Sequence, residues 1–428
     1  MLQQETQSER AGLPSETSLQ KVSGAFSETL AAAIVTAQVV DNAASNLVAE
    51  SFADTLAVSV AGSEEPVVHA LYRFYGRSSE SEHQALIGAV KAHALDYDDV
   101  HLKSGTHLSA VVVPALMACE SKERAAGYVA ATIAADAIGQ VLGAGHYAKG
   151  WHATSTIGPL LAAAAVARAR RLDSLQTRRA LSLAVAQAAG MQRNFGTMAK
   201  PLQAGMAAAA GLRAALWAEN GVTADEAPFG EKGFFDLYGT GLTVDPDTVQ
   251  MTARPSGLSR KLYPCCYASH RMIAAVLEAR KSCGSPQVDG VHVRTPAGTL
   301  QALRISDPAD QNEAKFCAKY ILACAWLDGA VTLGHFSRLS IQREDVRVMM
   351  GRIEIEEEPS PGTDIERGTV SVIITGQPLS ITNQKHFPGS PAWPASAEQL
   401  WAKIDDCLVA SGKTAEQLRN EVKKLLCW

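Results

Sequence analysis

The stretch AAGYVAATIAADAIGQVLG, residues 125–143, places apolar side chains at helical spacing, and two similar stretches follow it, GPLLAAAAVARARRL (158–172) and TRRALSLAVAQAAGM (177–191). Glycine or a short polar turn ends each one, as is typical of helix ends. The same texture extends from Ser27 to about Trp217. Because alanine and glycine let helices approach closely, this part of the chain is predicted to form a compact all-helical block.

The texture changes after about Ser259. Three segments alternate apolar and polar residues in the manner of strands: QVDGVHVRT (287–295), GRIEIEEE (351–358) and GTVSVIITG (368–376). Helices are predicted between them, at 313–329 and near 343–350, and again at 396–426. We therefore predict a mainly α protein. A large, discontinuous all-helical domain comprises residues 1–256 and is completed by 386–428, and 257–385 form a smaller α+β lid domain.

Composition excludes several classes of partner. The chain has 428 residues, a net charge of −5 and a pI near 6.1, which argue against nucleic acid or an anionic membrane as the main partner, because binding to either requires clustered basic residues. Basic residues gather at Arg168, Arg170 and Arg171, where the solvated end of a helix is the favoured interpretation. We predict that no run is long enough to span a membrane, and the polar start MLQQETQSER has no apolar signal region. These features predict a cytoplasmic protein.

Two short stretches are unusually rich in proton-handling residues. HALDYDDVHLKSGTHLS (93–109) and GHYAKGWHATSTIG (145–158) together hold five of the eleven histidines. Burying such polar groups without partners costs several kcal/mol, so two clusters in one domain indicate a lined cavity. We interpret this pattern as that of an enzyme.

The acidic residues of the first stretch have two interpretations. Asp96, Asp98 and Asp99 could cap helices, and capping is the usual role of an isolated aspartate at a helix end. With His101 and His107 a few residues away, a carboxylate that orients a histidine or raises its pKa is favoured instead. Asp96 follows two apolar residues and is expected to face inward.

The second stretch predicts an anion site. His152 precedes a helix start at which Thr154, Ser155 and Thr156 are good N-cap residues. Free backbone N–H groups and the helix dipole attract anions there. A plain capped helix is the alternative, and the Trp151–His152 pair favours a bound substrate carboxylate.

Two lysines lie in apolar, turn-forming segments, Lys200 in NFGTMAKPLQAG and Lys261 in SRKLYPCCYASH. A lysine before proline is usually exposed, but both could bind carboxylates as point charges. Adjacent Cys265 and Cys266 could act as metal ligands or a nucleophile, and small buried residues in a turn are the favoured interpretation. The chain has no recognisable zinc, Walker A or dinucleotide motif, so we predict no metal and no cofactor.

Seven segments in order resemble the MmgE/PrpD family, which includes 2-methylcitrate dehydratase, cis-aconitate decarboxylase and iminodisuccinate epimerase. They are DTLAVSVAGS, HALDYDDVHLKSGTHLSAVVVPAL, GHYAKGWHATSTIG, NFGTMAKPLQAG, KLYPCCYASH, EAKFCAKYILACAWLDGAV and GSPAWPASAEQLWAKI. The resemblance implies a large helical domain, a smaller α+β lid and a homodimer. It also implies that no metal or organic cofactor is needed and that the active site lies in the cleft between domain and lid.

The resemblance carries catalytic positions onto this chain at the matching motifs: Asp96, His107, His152, Lys200, Lys261, His270 and Tyr320. Three positions depart from the family's pattern. Leu108 and Ala153 each stand where proline is usual, and Gln203 stands where histidine is usual. The loop after DYDD also lacks the E-W-G-H-P-S-D pattern of true 2-methylcitrate dehydratases.

These observations predict a cofactor-independent lyase that acts on a small di- or tricarboxylate. It abstracts a proton next to a carboxylate and then expels water or carbon dioxide. Lys200, Lys261 and the Thr154–Thr156 helix start would stabilise the enediolate. His107 or His152 would act as acid or base, and Tyr320 could deliver a proton from the lid. An epimerase of an iminodisuccinate-like dicarboxylate is the alternative, and a catalytically inactive binding protein is a third possibility.

Overall fold

A computed structural model describes residues 16–241, 244–252, 257–283, 287–359, 368–375 and 381–427 of the chain. The polar N-terminal segment and the predicted boundary at 256 therefore lie outside the described residues. Eleven α-helices precede residue 240 in this part of the chain: α1 (Glu16–Thr36), α2 (Asn42–Ala61), α3 (Pro66–Tyr75), α4 (Ser81–His93), α5 (Leu108–Ala118), α6 (Arg124–Ala148), α7 (Ala153–Thr156), α8 (Gly158–Ala169), α9 (Ser174–Val185), α10 (Ala199–Glu219) and α11 (Phe234–Tyr238).

The three alanine-rich stretches at 125–143, 158–172 and 177–191 form α6, α8 and α9, which confirms the predicted mainly α class. Helix α6 is longer than predicted because the chain resumes a helical course after a kink at Gly143, whose φ is 56°. By length and composition α6 is apolar enough to cross a membrane, which corrects the prediction that no run reaches that length. Its most apolar window is 89% buried inside the protein, as in the core helix of a soluble protein.

Small residues let the central helices pack closely. Helix α10 lies against α8 and α4, and Gly211 of α10 faces α8 with no room for a side chain. A Cβ atom there would lie 2.4 Å from both the Ala162 Cβ and the Pro159 carbonyl oxygen. The alanine content of these helices is therefore a packing requirement, since a longer side chain would separate the two backbones.

The second half of the chain contains the mixed sheet. Strands β3 (Gly290–Pro296), β4 (Ile353–Glu358), β5 (Val370–Thr375) and β6 (Ile381–Gln384) lie in the order β4-β3-β5-β6. β3 is parallel to β4 and antiparallel to β5, and β5 is antiparallel to β6. The accompanying helices are α12 (His270–Cys283), α13 (Gln311–Ala314), α14 (Ala318–Asp328), α15 (Arg338–Ile341) and α16 (Glu344–Met350).

The structure differs from the sequence prediction in two helices. The helix predicted at 313–329 is broken between α13 and α14, because tertiary bonds hold the intervening turn: the Lys315 carbonyl accepts from Cys266 N at 3.1 Å and its ammonium donates to the Ala94 carbonyl at 3.0 Å. The helix predicted at 396–426 is two helices, α17 (Ala397–Leu408) and α18 (Ala415–Leu425). Gly412 (φ 68°) follows the first, and a Thr414 capping box starts the second.

The described residues form two main hydrophobic cores. The larger core joins the N-terminal helices to Leu400, Ile404 and Leu418 of α17 and α18. The other unites the sheet with α12 and α14, and Phe195 of the helical half also belongs to it. The C-terminal helices thus pack on the N-terminal block. That 257–385 form a separate, mobile lid stays a prediction.

Candidate active site

The end of α4 places the acidic loop. The helix ends at His93, and Asp96 then takes a left-handed backbone conformation (φ 51°) that turns the chain back. The loop continues into a short strand, β1 (Val100–His101), which pairs with β2 (Leu258–Ser259). This pairing was not predicted, and it brings Lys261 against the acidic loop.

Asp98 is the acceptor that orients two histidines. Its Oδ2 atom lies 2.8 Å from His93 Nδ1 and 3.0 Å from His107 Nδ1, and its side chain is fully buried. Burial alone would raise the pKa of Asp98, but His93 and His107 hold it well below its ordinary value. A carboxylate can only accept, so both histidines carry a proton on Nδ1.

Asp96 binds both predicted lysines. Its Oδ1 atom lies 2.6 Å from Lys200 Nζ and 2.9 Å from Lys261 Nζ, and Lys261 also donates to the Asp96 carbonyl oxygen at 2.8 Å. Burial would raise the pKa of Asp96, but the two ammonium groups hold it well below its ordinary value. The pKa of Lys261 is raised, because Asp96 and Asp98 outweigh the effect of burial.

The histidines of the cluster are neutral. Burial, reinforced by the ammonium of Lys261, lowers the pKa of His107 to about 3, although Asp98 opposes the shift. With Nδ1 protonated, a neutral His107 has a free lone pair on Nε2, and this atom lies 3.9 Å from Asp96 Oδ1. His93 Nε2 instead accepts from Lys200 Nζ at 2.9 Å.

A cavity of about 330 Å³ opens beside these residues and is lined from both cores. Its charged and imidazole groups are Asp96, Lys103, His107, His146, His152 and Lys200, and its aromatic walls include Tyr147, Phe195, Tyr267 and Phe316. The sequence brings these groups from the acidic loop, α6, the Gly150–His152 turn, the start of α10 and the second half of the chain. The cavity can therefore bind a small anion among these ammonium and imidazole groups, between apolar walls.

His152 lines the same cavity. Its ring packs edge-on against Phe195 with centroids 5.1 Å apart. Its Nδ1 atom lies 3.1 Å from Gln203 Nε2, and its Nε2 atom has no hydrogen-bond partner among the described residues. Burial, followed by the charge of Lys200, holds the pKa of His152 well below its ordinary value.

Both halves of the chain match models of one family. Residues 28–247 match the MmgE/PrpD N-terminal domain, and residues 263–426 match the MmgE/PrpD C-terminal domain. The chain belongs to the MmgE/PrpD family. It is 26% identical over 372 residues to the human protein named cis-aconitate decarboxylase, covering 80% of this chain and 76% of the relative. The Aspergillus terreus protein of the same name is 25% identical over 393 residues, covering 82% and 79%.

Three predicted substrate ligands of this MmgE/PrpD protein do not line the cavity. The hydroxyl of Thr154 accepts from His107 N at 3.0 Å, that of Ser155 donates to the Gln203 carbonyl at 3.2 Å, and that of Thr156 lies 2.7 Å from His146 Nε2. The predicted helix start is the single turn α7. These hydroxyls hold site residues in place instead of facing a ligand.

Tyr320 and His270 also lie away from the cavity. The Tyr320 hydroxyl donates to the His335 carbonyl within the second core, where the residue is fully buried. His270 is fully buried behind Tyr267, and their ring centroids are 5.1 Å apart. Lys261 does not line the cavity, and it meets the site through its contacts with Asp96. In this conformation Tyr320 and His270 cannot touch a ligand in the cavity.

Sequence reasoning did not assign roles to two residues that build the site, His93 and Phe316, and it treated Asp98 as one of three candidate carboxylates. His93 lies inside the polar stretch 93–109, and the signal that could have found it is its spacing from Asp98 across the end of α4. Phe316 occupies the break between α13 and α14, which no local pattern indicates. Lys200 Nζ lies over the rings of Phe195 and Phe316, 5.4 and 5.3 Å from their centroids.

The same cluster contains a set of metal-ligand atoms. One atom each from His93, Asp96, Asp98 and His107 lies within 4.8 Å of the others. Two features of the set oppose a divalent cation. The ammonium groups of Lys200 and Lys261 already occupy Asp96 Oδ1, and both histidines direct a protonated Nδ1 to Asp98. A metal would have to displace these cations, so the donor set does not fit one.

Proposed function

We propose that this chain is a cofactor-independent lyase that releases carbon dioxide from cis-aconitate or a closely similar unsaturated tricarboxylate. The observation that carries the proposal is the pairing of Asp98 with His107. It leaves a histidine lone pair on the wall of a cavity that also holds Lys200. The proteins named cis-aconitate decarboxylase, which match about four-fifths of the chain, support this choice of substrate.

The reaction balances without an oxidant or a reductant. The carboxylate that leaves is attached to a CH₂ group next to the carbon–carbon double bond. When its C–C bond breaks, the electron pair forms a new double bond, and the pair of the old double bond moves onto the carbon that bears another carboxylate. The resulting enediolate takes up one proton at that carbon. The site must therefore stabilise negative charge and supply a proton.

His107 is suited to supply that proton. An anionic substrate in the cavity raises the pKa of a nearby imidazole, so His107 gains a proton on Nε2 as the substrate binds. Asp98 stabilises the imidazolium through Nδ1, as a buried carboxylate does in a catalytic triad. Transfer of the Nε2 proton to the enediolate carbon returns His107 to its neutral form.

Lys200 is suited to bind a substrate carboxylate. It lies on the cavity wall, and in the structure its charge is balanced by Asp96. A substrate carboxylate can share this ammonium, while Lys261 remains on the far side of Asp96 and keeps that aspartate ionised. Phe195 and Phe316 exclude water from the ammonium, which strengthens its attraction for an anion.

Proton NMR of the purified protein with cis-aconitate in D₂O tests the proposal. We expect a decarboxylated product that carries one deuterium at the carbon where the enediolate formed. Parallel samples with 2-methylcitrate and iminodisuccinate test the dehydratase and the epimerase. Turnover of either of these without turnover of cis-aconitate would overturn the decarboxylase, and no exchange or turnover with any of them would favour a binding protein. We also propose that the protein is a homodimer located in the cytoplasm. Light scattering, which measures the mass of the protein in solution, tests the homodimer.

A further inference from the structure

We propose that Gln203 is a positioning residue that fixes His152 in the Nε2–H tautomer and so makes His152 a hydrogen-bond donor to the substrate. The tautomer follows from protein contacts alone, and the role toward substrate rests on the proposed function.

The Gln203 amide is held in one orientation by the backbone of Met191. Its Oε1 atom accepts from Met191 N at 2.7 Å, and its Nε2 atom donates to the Met191 carbonyl oxygen at 3.4 Å. Asn194 Nδ2 also lies 3.4 Å from Oε1. A flipped amide would face the Met191 N–H with its own N–H₂ and the Met191 carbonyl with its own oxygen, so both contacts would become repulsive.

The fixed amide decides the proton on His152. Gln203 Nε2 can only donate, so His152 Nδ1, 3.1 Å away, must accept. A neutral imidazole that accepts at Nδ1 carries its proton on Nε2. The ring is neutral because burial and Lys200 hold its pKa well below the ordinary value.

The backbone around Gln203 keeps these groups in register. His152 N donates to the Gly190 carbonyl at 3.3 Å, and Gln192 N donates to the Gly150 carbonyl at 2.9 Å. Residues 150–152 therefore pair with residues 190–192. Gly190 has φ 130°, and a Cβ atom there would lie 2.9 Å from Gln203 Oε1. This position therefore requires glycine for the close approach.

His107 and His152 are consequently opposite tautomers on one cavity. His107 presents a lone pair from Nε2, and His152 presents an N–H from Nε2 that no described residue accepts. A neutral imidazole N–H can stabilise an enediolate oxygen by donating a hydrogen bond to it. This assigns His107 to proton transfer and His152 to binding of the developing charge, an assignment that the sequence left open.

The test needs no substrate. Protein labelled with ¹⁵N-histidine is examined by long-range ¹H–¹⁵N correlation at pH 8.5, and the His152 signals are identified by their loss in His152→Phe. We expect a proton on Nε2 and an unprotonated Nδ1. A proton on Nδ1 of the wild-type ring would overturn the inference, whether or not cis-aconitate is turned over.

Gln203→Glu is the matched variant, since it keeps the length and shape of the side chain. Its carboxylate accepts from both Met191 N and the ring, so His152 Nδ1 should gain a proton and kcat/KM should fall about 10²–10³-fold. An unchanged Nδ1 signal would overturn the positioning role. If the tautomer reverses as expected but the wild type does not turn over cis-aconitate, the inference stands and the proposed substrate is wrong.

Discussion

Lys261 holds Asp96 by two contacts, donating to its carboxylate at 2.9 Å and to its own backbone carbonyl at 2.8 Å. Asp96 is one of the few non-glycine residues in the described chain with a positive φ. Lys261 thus stabilises both the negative charge of Asp96 and its left-handed backbone conformation. These two contacts explain how a strained backbone conformation persists at the centre of the site.

Asp96→Asn tests the charge separately from the turn. Asparagine tolerates the left-handed conformation, so the loop should keep its course, but the buried Lys200 and Lys261 lose their counter-ion. We expect a loss of about 3–5 kcal/mol of unfolding free energy by urea denaturation. The double variant with Lys261→Met should recover part of this loss. A single variant as stable as the wild type would show that Asp96 does not neutralise the two lysines.

His107→Ala and His152→Ala should each lower turnover steeply while leaving the fold intact. General acid–base groups contribute about 10²–10⁴-fold, and a donor to developing charge contributes on a similar scale. The measurement is kcat with cis-aconitate, alongside circular dichroism. The control is His69→Gln, because the His69 side chain is 49% exposed and away from the cavity. Near-wild-type activity in both alanine variants would remove the proposed site.

Activity should survive dialysis against EDTA. The lysines on Asp96 occupy the position that a divalent cation would need, and the chain has no recognised ligand spacing. The check is kcat/KM before and after dialysis, with zinc, manganese, magnesium and ferrous ions added back singly. Loss of activity that one of these ions restores would show that the four-residue cluster is a metal centre.

Stability should fall as the pH drops below 6.5, in part because of His270. Burial, reinforced by Lys261, lowers the pKa of His270 to about 3, so between these values the unfolded chain binds a proton that the folded chain does not. The stabilisation is complete above pH 6.5 and is lost toward pH 3. His270→Asn should therefore lose about 2 kcal/mol less than the wild type between pH 7.5 and 5. Equal losses in urea titrations would mean that His270 titrates normally.

Residues 257–385 are predicted to move as a lid that completes the site. The cavity is lined from both cores, with Cys266, Thr299 and Phe316 contributed by the second half of the chain. Hydrogen exchange with and without a competitive tricarboxylate inhibitor should show joint protection at 96–107, 150–156 and 261–270. Closure would also have to bring Tyr320 or His270 to the ligand if either acts directly. Protection confined to one side of the cavity would contradict the lid.

Local sequence patterns predicted the helices and strands correctly where a residue's neighbours in sequence are also its neighbours in space. Helical periodicity predicted α6, α8 and α9, and alternation predicted β3, β4 and β5. The two polar stretches located the cavity because buried polar groups need partners, and five of the six charged and imidazole groups that line the cavity lie in these stretches. The break before α14 was missed, since Lys315 is held there by Ala94 and Cys266, which are far away in sequence.

The sequence by itself determined the mainly α class, the family and the two polar stretches that supply most of the charged and imidazole groups of the cavity, because these depend on composition, periodicity and ordered motifs. Only the tertiary structure decided which of those groups meet. It placed Asp98 on His93 and His107, set both lysines on Asp96, and directed Thr154, Ser155 and Thr156 to protein partners. The physical reason is that a hydrogen bond depends on positions accurate to a fraction of an ångström, and packing of helices distant in sequence sets those positions.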